Sequence, residues 1–203
     1  MLNIGVLALQ GGVAEHVSAL RQASAKAKIP ISLRTVRTAR DLEGLHALLL
    51  PGGESTALSL LLEREGMFEL MKRIPALFGT CAGLILMADE VDGAEPGQQS
   101  LGVMPITVTR NAYGTQSDSF ESRLDGELTG KAKILFIRAP KISAMGEGVQ
   151  VLSRLPKTNE AVIVEYRTSG RLLFGATCHP ELTTSKVHEY FLKELAGTLG
   201  PKE

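Results

Sequence analysis

Hydrophobic and polar positions along the first half of the chain alternate between two periods. Residues 2–9 form an apolar run of strand type, 13–27 place apolar side chains at helical spacing, and 31–36 return to a strand pattern. The rhythm continues with a strand over 46–50, one helix over 56–73 broken near Gly66, and a short strand over 76–78. A helix then runs from Ala82 to about Asp89. Strands separated by helices of this length imply a mostly parallel sheet covered on both faces. The second half reads differently. Residues 103–109, 133–137, 149–152, 161–167 and 171–177 are strand-like with few helices between them, so antiparallel strands are expected to extend the sheet. A helix over 184–199 closes the pattern, and the polar stretch 89–100 reads as a surface loop. The fold class is therefore α/β: a three-layer open sheet, parallel at first, with antiparallel strands added later.

Composition narrows the classes of function. The chain has 203 residues, 44% of them hydrophobic, enough to bury about 70% of its unfolded surface as one domain spanning 1–203. Lys plus Arg and Asp plus Glu are both 22, so the overall field gives no reason to expect nucleic acid or an anionic membrane as partner. No segment approaches the ~20 apolar residues of a membrane span, and the chain enters a strand at once without a basic leader, so a cytoplasmic location is expected.

Candidate chemistry centres on Cys81, which stands between Gly79 and Gly83 where an apolar strand meets a helix. A sharp strand-to-helix turn leaves little room beside its central residue, and flanking glycines meet that need. The start of a helix also presents unpaired N–H groups that favour thiolate over thiol. Near the other end, His179 and Glu181 lie two apart at the close of a strand, where positions i and i+2 share a face. Glu181 can then orient one imidazole nitrogen while the other faces the thiol. Nucleophile, base and orienter are the parts of acyl transfer. The remaining cysteine, Cys178, is next to His179 and is expected to point to the opposite face. Two thiols with one nearby histidine are too few for a zinc site, so no metal is expected.

A second loop, Pro51-Gly52-Gly53-Glu54-Ser55, follows the strand over 46–50. It reads in two ways. Its backbone N–H groups suit a tetrahedral oxyanion and Glu54 a substrate ammonium, or the glycines only make a turn before a helix capped by Ser55. In open sheets, ligands sit beyond the carboxyl ends of the strands, so Gln10, Gly53, Cys81 and His179 are expected to converge.

The segments Gly79-Thr80-Cys81-Ala82-Gly83, Pro51-Gly52-Gly53-Glu54-Ser55-Thr56 and His179-Pro180-Glu181 resemble the triad glutamine amidotransferases. More narrowly, Leu9-Gln10-Gly11-Gly12-Val13 with Glu15-His16, Arg110-Asn111 with Tyr113-Gly114, Asp118-Ser119-Phe120-Glu121 and Phe136-Ile137-Arg138-Ala139-Pro140 resemble the glutaminase subunits of pyridoxal 5′-phosphate synthases. The resemblance covers the chain to about Glu181. Cys178 departs from it, since that family usually has an aromatic residue before the histidine. The resemblance implies a flavodoxin-like sheet and hydrolysis of L-glutamine by Cys81, His179 and Glu181. It further implies substrate contacts from Gly53, Glu54, Ser55, Arg110, Ile137 and Arg138, and oxyanion donors at Gly52, Gly53 and Ala82. It implies no cofactor. It also implies a separate (β/α)8 synthase subunit that docks at Gln10, Gly11, Glu15 and His16 and receives ammonia. A glutaminase for a histidine- or aminobenzoate-pathway synthase, and an elbow-cysteine protein of the chaperone or peptidase sort, are the other readings.

Overall fold

A computed structural model describes residues 1–113, 119–168 and 170–199. Gly114 and Asp118 of the motifs above, and the last four residues, lie outside it. Seven strands form the main sheet in the order β10-β11-β12-β4-β3-β1-β2. Its parallel part consists of β1 (Leu2–Leu7), β2 (Ile31–Val36), β3 (Ala47–Leu50), β4 (Ala76–Thr80) and, from the second half of the chain, β12 (Arg171–Ala176). Antiparallel pairing begins at β11 (Ala161–Thr168) and ends with β10 (Val149–Arg154). The expected extension of the sheet is present, but its first strand, β12, enters parallel to β4 and carries His179 to the same end of the sheet as Cys81.

The central strands read as unbroken apolar runs because both faces are covered. In β3, Leu48 and Leu50 face one core while Ala47 and Leu49 face the other; Leu77 and Phe78 of β4 divide in the same way. Helices α1 (Val13–Ala27) and α5 (Lys186–Leu199) cover one face through Leu20, Ala23, Phe191 and Leu195. The other face lies under α2 (Ser55–Arg64), α3 (Phe68–Met71) and α4 (Ala82–Met87), with Leu58, Leu62, Met71 and Leu84 in its core. Residues 56–73 are thus two helices, separated at Gly66, whose φ of 63° is left-handed.

Outside the main sheet, β5 (Ala88–Asp92), β6 (Met104–Thr109) and β9 (Lys141–Met145) form a three-stranded sheet, and β7 (Phe120–Ser122) pairs with β8 (Ile134–Phe136). The first of these corrects the loop expected over 89–100: residues 88–92 pair with β6, which gives this mostly exposed polar segment its ladder bonds. Strands β7 and β9 were not expected either, being only three and five residues long. Among the described residues no helix is long and apolar enough to cross a membrane.

From β1 the chain crosses to β2 and returns to β3 on the other side of β1. That reversal opens a crevice beyond the carboxyl ends of β1 and β3, where ligands of open sheets bind.

Candidate active site

Strand β4 ends at Thr80, and Cys81 turns the chain into α4 with φ 49° and ψ −107°. Positive φ is uncommon for a residue with a Cβ and is found where the surroundings over-determine it. Here the Cys81 N–H donates to the Ala176 carbonyl of β12 at 2.8 Å. The turn also packs too tightly for side chains: a Cβ on Gly83 would fall on the Leu50 carbonyl, and one on Gly79 would meet the Gly83 backbone. The Cys81 sulfur is largely buried and lies 3.8 Å from the Ile137 carbonyl.

His179 follows β12 and is pinned by its N–H to the Leu135 carbonyl of β8 at 2.9 Å. Its Nδ1 meets Glu181 Oε1 at 2.8 Å. The contact is made, but not across an extended segment: Pro180–Leu182 form a 3₁₀ turn, and Pro180 at its first position sets the bend that brings the carboxylate back to the ring. With Nδ1 committed to Glu181, Nε2 remains for the sulfur. A methyl group on Gly52 would lie 3.1 Å from His179 Nδ1 and 3.2 Å from Cys81 Cβ, so the imidazole and the nucleophile border the same small space. Burial works to lower the proton affinity of His179, yet the neighbouring Cys81 sulfur and Glu181 carboxylate outweigh it and push its pKa up to about 10. Cys178 is fully buried in the core on the α1–α5 side, where burial and the nearby Glu181 charge push its thiol up. A protonated thiol in a core is inert.

The double-glycine loop is held from two sides. The Gly52 N–H donates to Thr80 Oγ1 at 3.2 Å, the Gly52 carbonyl accepts from Gly12 N–H at 3.2 Å, and Gln10 Oε1 accepts from Glu54 N–H at 2.9 Å. Gly11, at φ 106°, lies so close to the Gly52 carbonyl that no Cβ fits. The cap of α2 is Glu54, not Ser55. Its carboxylate accepts from Thr56 and Ala57 N–H at 3.0 and 2.7 Å, because a Glu at this position reaches both donors while Ser55 is already the first helical residue. Burial alone would raise the Glu54 carboxyl, but these two N–H bonds, with Thr56 Oγ1 and Arg110, hold it below its ordinary value. Arg110 is anchored at both ends of its guanidinium: its Nη2 pairs with Glu54 Oε1 at 3.2 Å and its Nη1 bonds Gln98 Oε1 at 2.9 Å.

These parts enclose a cavity of about 240 Å³. Gly52, Gly53, Glu54, Ser55, Cys81, Ala82, Arg110, Ile137, Arg138 and His179 line it, with Glu181 behind His179. Ile85 and Asn111 line it as well, and Gln98 fastens Arg110, Ser55 and Thr56 at its rim. Sequence pattern gave no warning of Gln98, which lies in a polar stretch without periodicity. Of the residues expected to meet a partner, Gln10, Gly11 and Glu15 are exposed, but His16 is fully buried on the inner face of α1 and presents no surface. The Gly52 N–H, expected as an oxyanion donor, is taken up by Thr80. Gly53 and Ala82 N–H have no protein acceptor among the described residues.

Residues 6–197 match the SNO glutamine amidotransferase family. The chain is 46% identical to pyridoxal 5′-phosphate synthase subunit PdxT of Corynebacterium jeikeium over 94% of its length and 95% of that relative. It is 44% identical to the protein of the same name from Korarchaeum cryptofilum, over 96% and 98%. A crystal structure of a glutamine amidotransferase superposes with a TM-score of 0.81 at 43% identity, covering 96% of this chain and 98% of that one.

Proposed function

The chain belongs to the SNO glutamine amidotransferase family, and on that premise we propose that it is the glutaminase subunit of a pyridoxal 5′-phosphate synthase. It hydrolyses L-glutamine to L-glutamate and ammonia and supplies the ammonia to a separate synthase subunit. The observation that carries the residue-level reading is the meeting of Cys81, His179 and the Arg110–Glu54 pair on one small cavity, with Glu181 bonded to His179 at 2.8 Å. At about 240 Å³ that cavity lies just below the usual size of drug-sized ligand pockets and suits a ligand as small as an amino acid.

In this reading the Cys81 thiolate attacks the side-chain carboxamide carbon, and the carbonyl electrons move onto oxygen. Gly53 and Ala82 N–H hold the oxyanion; the latter is unpaired because the first N–H groups of a helix have no partner within it. As the tetrahedral species collapses, the C–N bond breaks and the nitrogen takes the proton of the His179 imidazolium. Ammonia leaves, and the neutral imidazole then takes a proton from water as the hydroxide attacks the thioester. Glutamate departs, and thiolate and imidazolium are restored. The raised proton affinity of His179 keeps that proton loaded for the first half of the cycle. Gly53, Glu54, Ser55 and Arg110 hold the amino-acid end of the substrate, with Ile137 and Arg138 lining the same cavity.

Near neutral pH free ammonia becomes ammonium and loses its nucleophilicity, so an enclosed route to the acceptor is chemically required. The acceptor is a (β/α)8 subunit that joins ammonia to ribose 5-phosphate and glyceraldehyde 3-phosphate, and the complex works in the cytoplasm. The face of the glutaminase chain that docks against it includes Gln10, Gly11 and Glu15. Gln10 and Gly12 bond the Gly52–Glu54 loop, so docking adjusts the oxyanion donors, and the isolated subunit is slow.

The test is reconstitution with a pyridoxal phosphate synthase subunit, glutamine and the two sugar phosphates. Cys81→Ala removes glutamine-dependent product, and ammonium salts restore it. Glutamine-dependent synthesis that survives Cys81→Ala would overturn the reading.

A further inference from the structure

Two imidazoles lie beneath the site and take part in none of the steps above. His16 of α1 and His188 of α5 are fully buried, and His16 Nδ1 faces His188 Nε2 at 3.0 Å. The other His16 nitrogen, Nε2, lies 3.0 Å from Thr80 Oγ1 and 3.7 Å from Glu181 Oε1. Thr80 Oγ1 in turn accepts the Gly52 N–H. One continuous chain of side chains therefore runs from the C-terminal helix, through α1 and the residue before the nucleophile, to the loop that offers the oxyanion donors.

Burial dominates both rings and lowers their proton affinity, that of His188 to about 3, so both are neutral at neutral pH. A neutral imidazole donates at one nitrogen and accepts at the other, so hydrogen bonds through two such rings run in a single sense and fix how the Thr80 hydroxyl is turned. His188 Nδ1 has no hydrogen-bond partner among the described residues, so the chain ends at that ring; its paired nitrogens and the Thr80 hydroxyl keep their partners because leaving them unpaired in the core would cost too much.

We infer that Thr80, His16 and His188 form a positioning chain that holds the Gly52–Gly53 loop against Cys81. The inference rests on the glutaminase reading. Gly52 is clamped at its carbonyl by Gly12 and at its N–H by Thr80, which leaves the following peptide, bearing the Gly53 N–H, little freedom to turn away from the cavity. Gly12 belongs to the exposed loop and yields to a partner. Thr80 belongs to the core and does not.

The experiment compares wild type, Thr80→Val, Thr80→Ser, His16→Phe and the Thr80→Val/His16→Phe double variant as glutaminases in complex with the synthase subunit, with Cys81→Ala as control. Thr80→Val keeps the volume and deletes the bond to Gly52. It is expected to lower kcat by about tenfold, a fraction of what losing an oxyanion donor outright costs, while KM for glutamine stays within twofold. Thr80→Ser recovers most of the loss, and the double variant loses no more than the worse single one, as members of one chain should. A kcat for Thr80→Val within fivefold of wild type overturns the proposal. So does a loss matched by a fallen melting temperature, failed recovery in Thr80→Ser, or additive losses in the double variant. None of these touches the glutaminase reading, which falls only if Cys81→Ala remains active.

Discussion

Replacing Glu181 by Gln keeps the shape of the side chain and removes its charge, which isolates what the carboxylate does for His179. The carboxylate lies 2.8 Å from Nδ1 and its side chain is 2% exposed. Two unit charges that close attract by about 6 kcal/mol at an effective dielectric constant of 20, before the cost of burying them is subtracted. An adjacent opposite charge moves a pKa by roughly 1–3 units, so the His179 value of about 10 should fall to roughly 7–9 in the variant. The amide has a second effect. Its NH₂ can donate to Nδ1, which favours the tautomer carrying the proton on Nε2, facing Cys81 rather than ready to accept from it. In the analogous serine-protease substitution that tautomer costs about 10⁴ in kcat. Here kcat is expected to fall by at least roughly 10² with KM nearly unchanged, and the alkaline limb of the kcat/KM profile should move down by at least one pH unit. The assay is ammonia release by the assembled complex between pH 6 and 10.5. A variant that keeps kcat within threefold and the same alkaline limb would refute the argument that Glu181 orients and charges the imidazole.

The proton affinity of His179 also links the site to stability. Its folded value lies above the ordinary 6.5, so folding favours the protonated form. That contribution is fully present below about pH 6.5 and is lost as pH rises through about 10. Melting curves should show wild type losing its advantage over His179→Gln between pH 7 and 10, and a constant difference would contradict this. A methyl group at Gly83 collides with the Leu50 carbonyl, so Gly83→Ala should cost about 3 kcal/mol by overpacking, seen as a melting temperature lower by roughly 6–12 °C in differential scanning calorimetry. Melting within 2 °C of wild type would mean that the elbow relaxes at little cost.

In the proposed reading, the docking face and the loop that offers the oxyanion donors are joined by few bonds. Gln10 and Gly12 come from the turn after β1, and the loop they hold follows β3, so the crevice at the sheet's reversal is also where an outside contact reaches the oxyanion donors. A partner docked there, as proposed, would have leverage over catalysis without touching Cys81.

What the sequence determined by itself was local. Periodicity located β2 and α1 to the residue, because both have uninterrupted patterns and clear ends. The glycines beside Cys81 announced a turn that only they permit, and the two-residue spacing of His179 and Glu181 announced a hydrogen bond within the reach of adjacent backbone. Strands β5, β7 and β9 escaped because their ladder bonds come from partners distant in the chain rather than from their own apolar pattern. Only the tertiary structure decided that β12 runs parallel beside β4, which is what brings His179 to Cys81. It alone turned Glu54 into a helix cap paired with Arg110 and sank His16 beneath Thr80. The physical reason is the same in each case. A residue's conformation follows from its neighbours along the chain, whereas burial and partners depend on which distant segments fold against it.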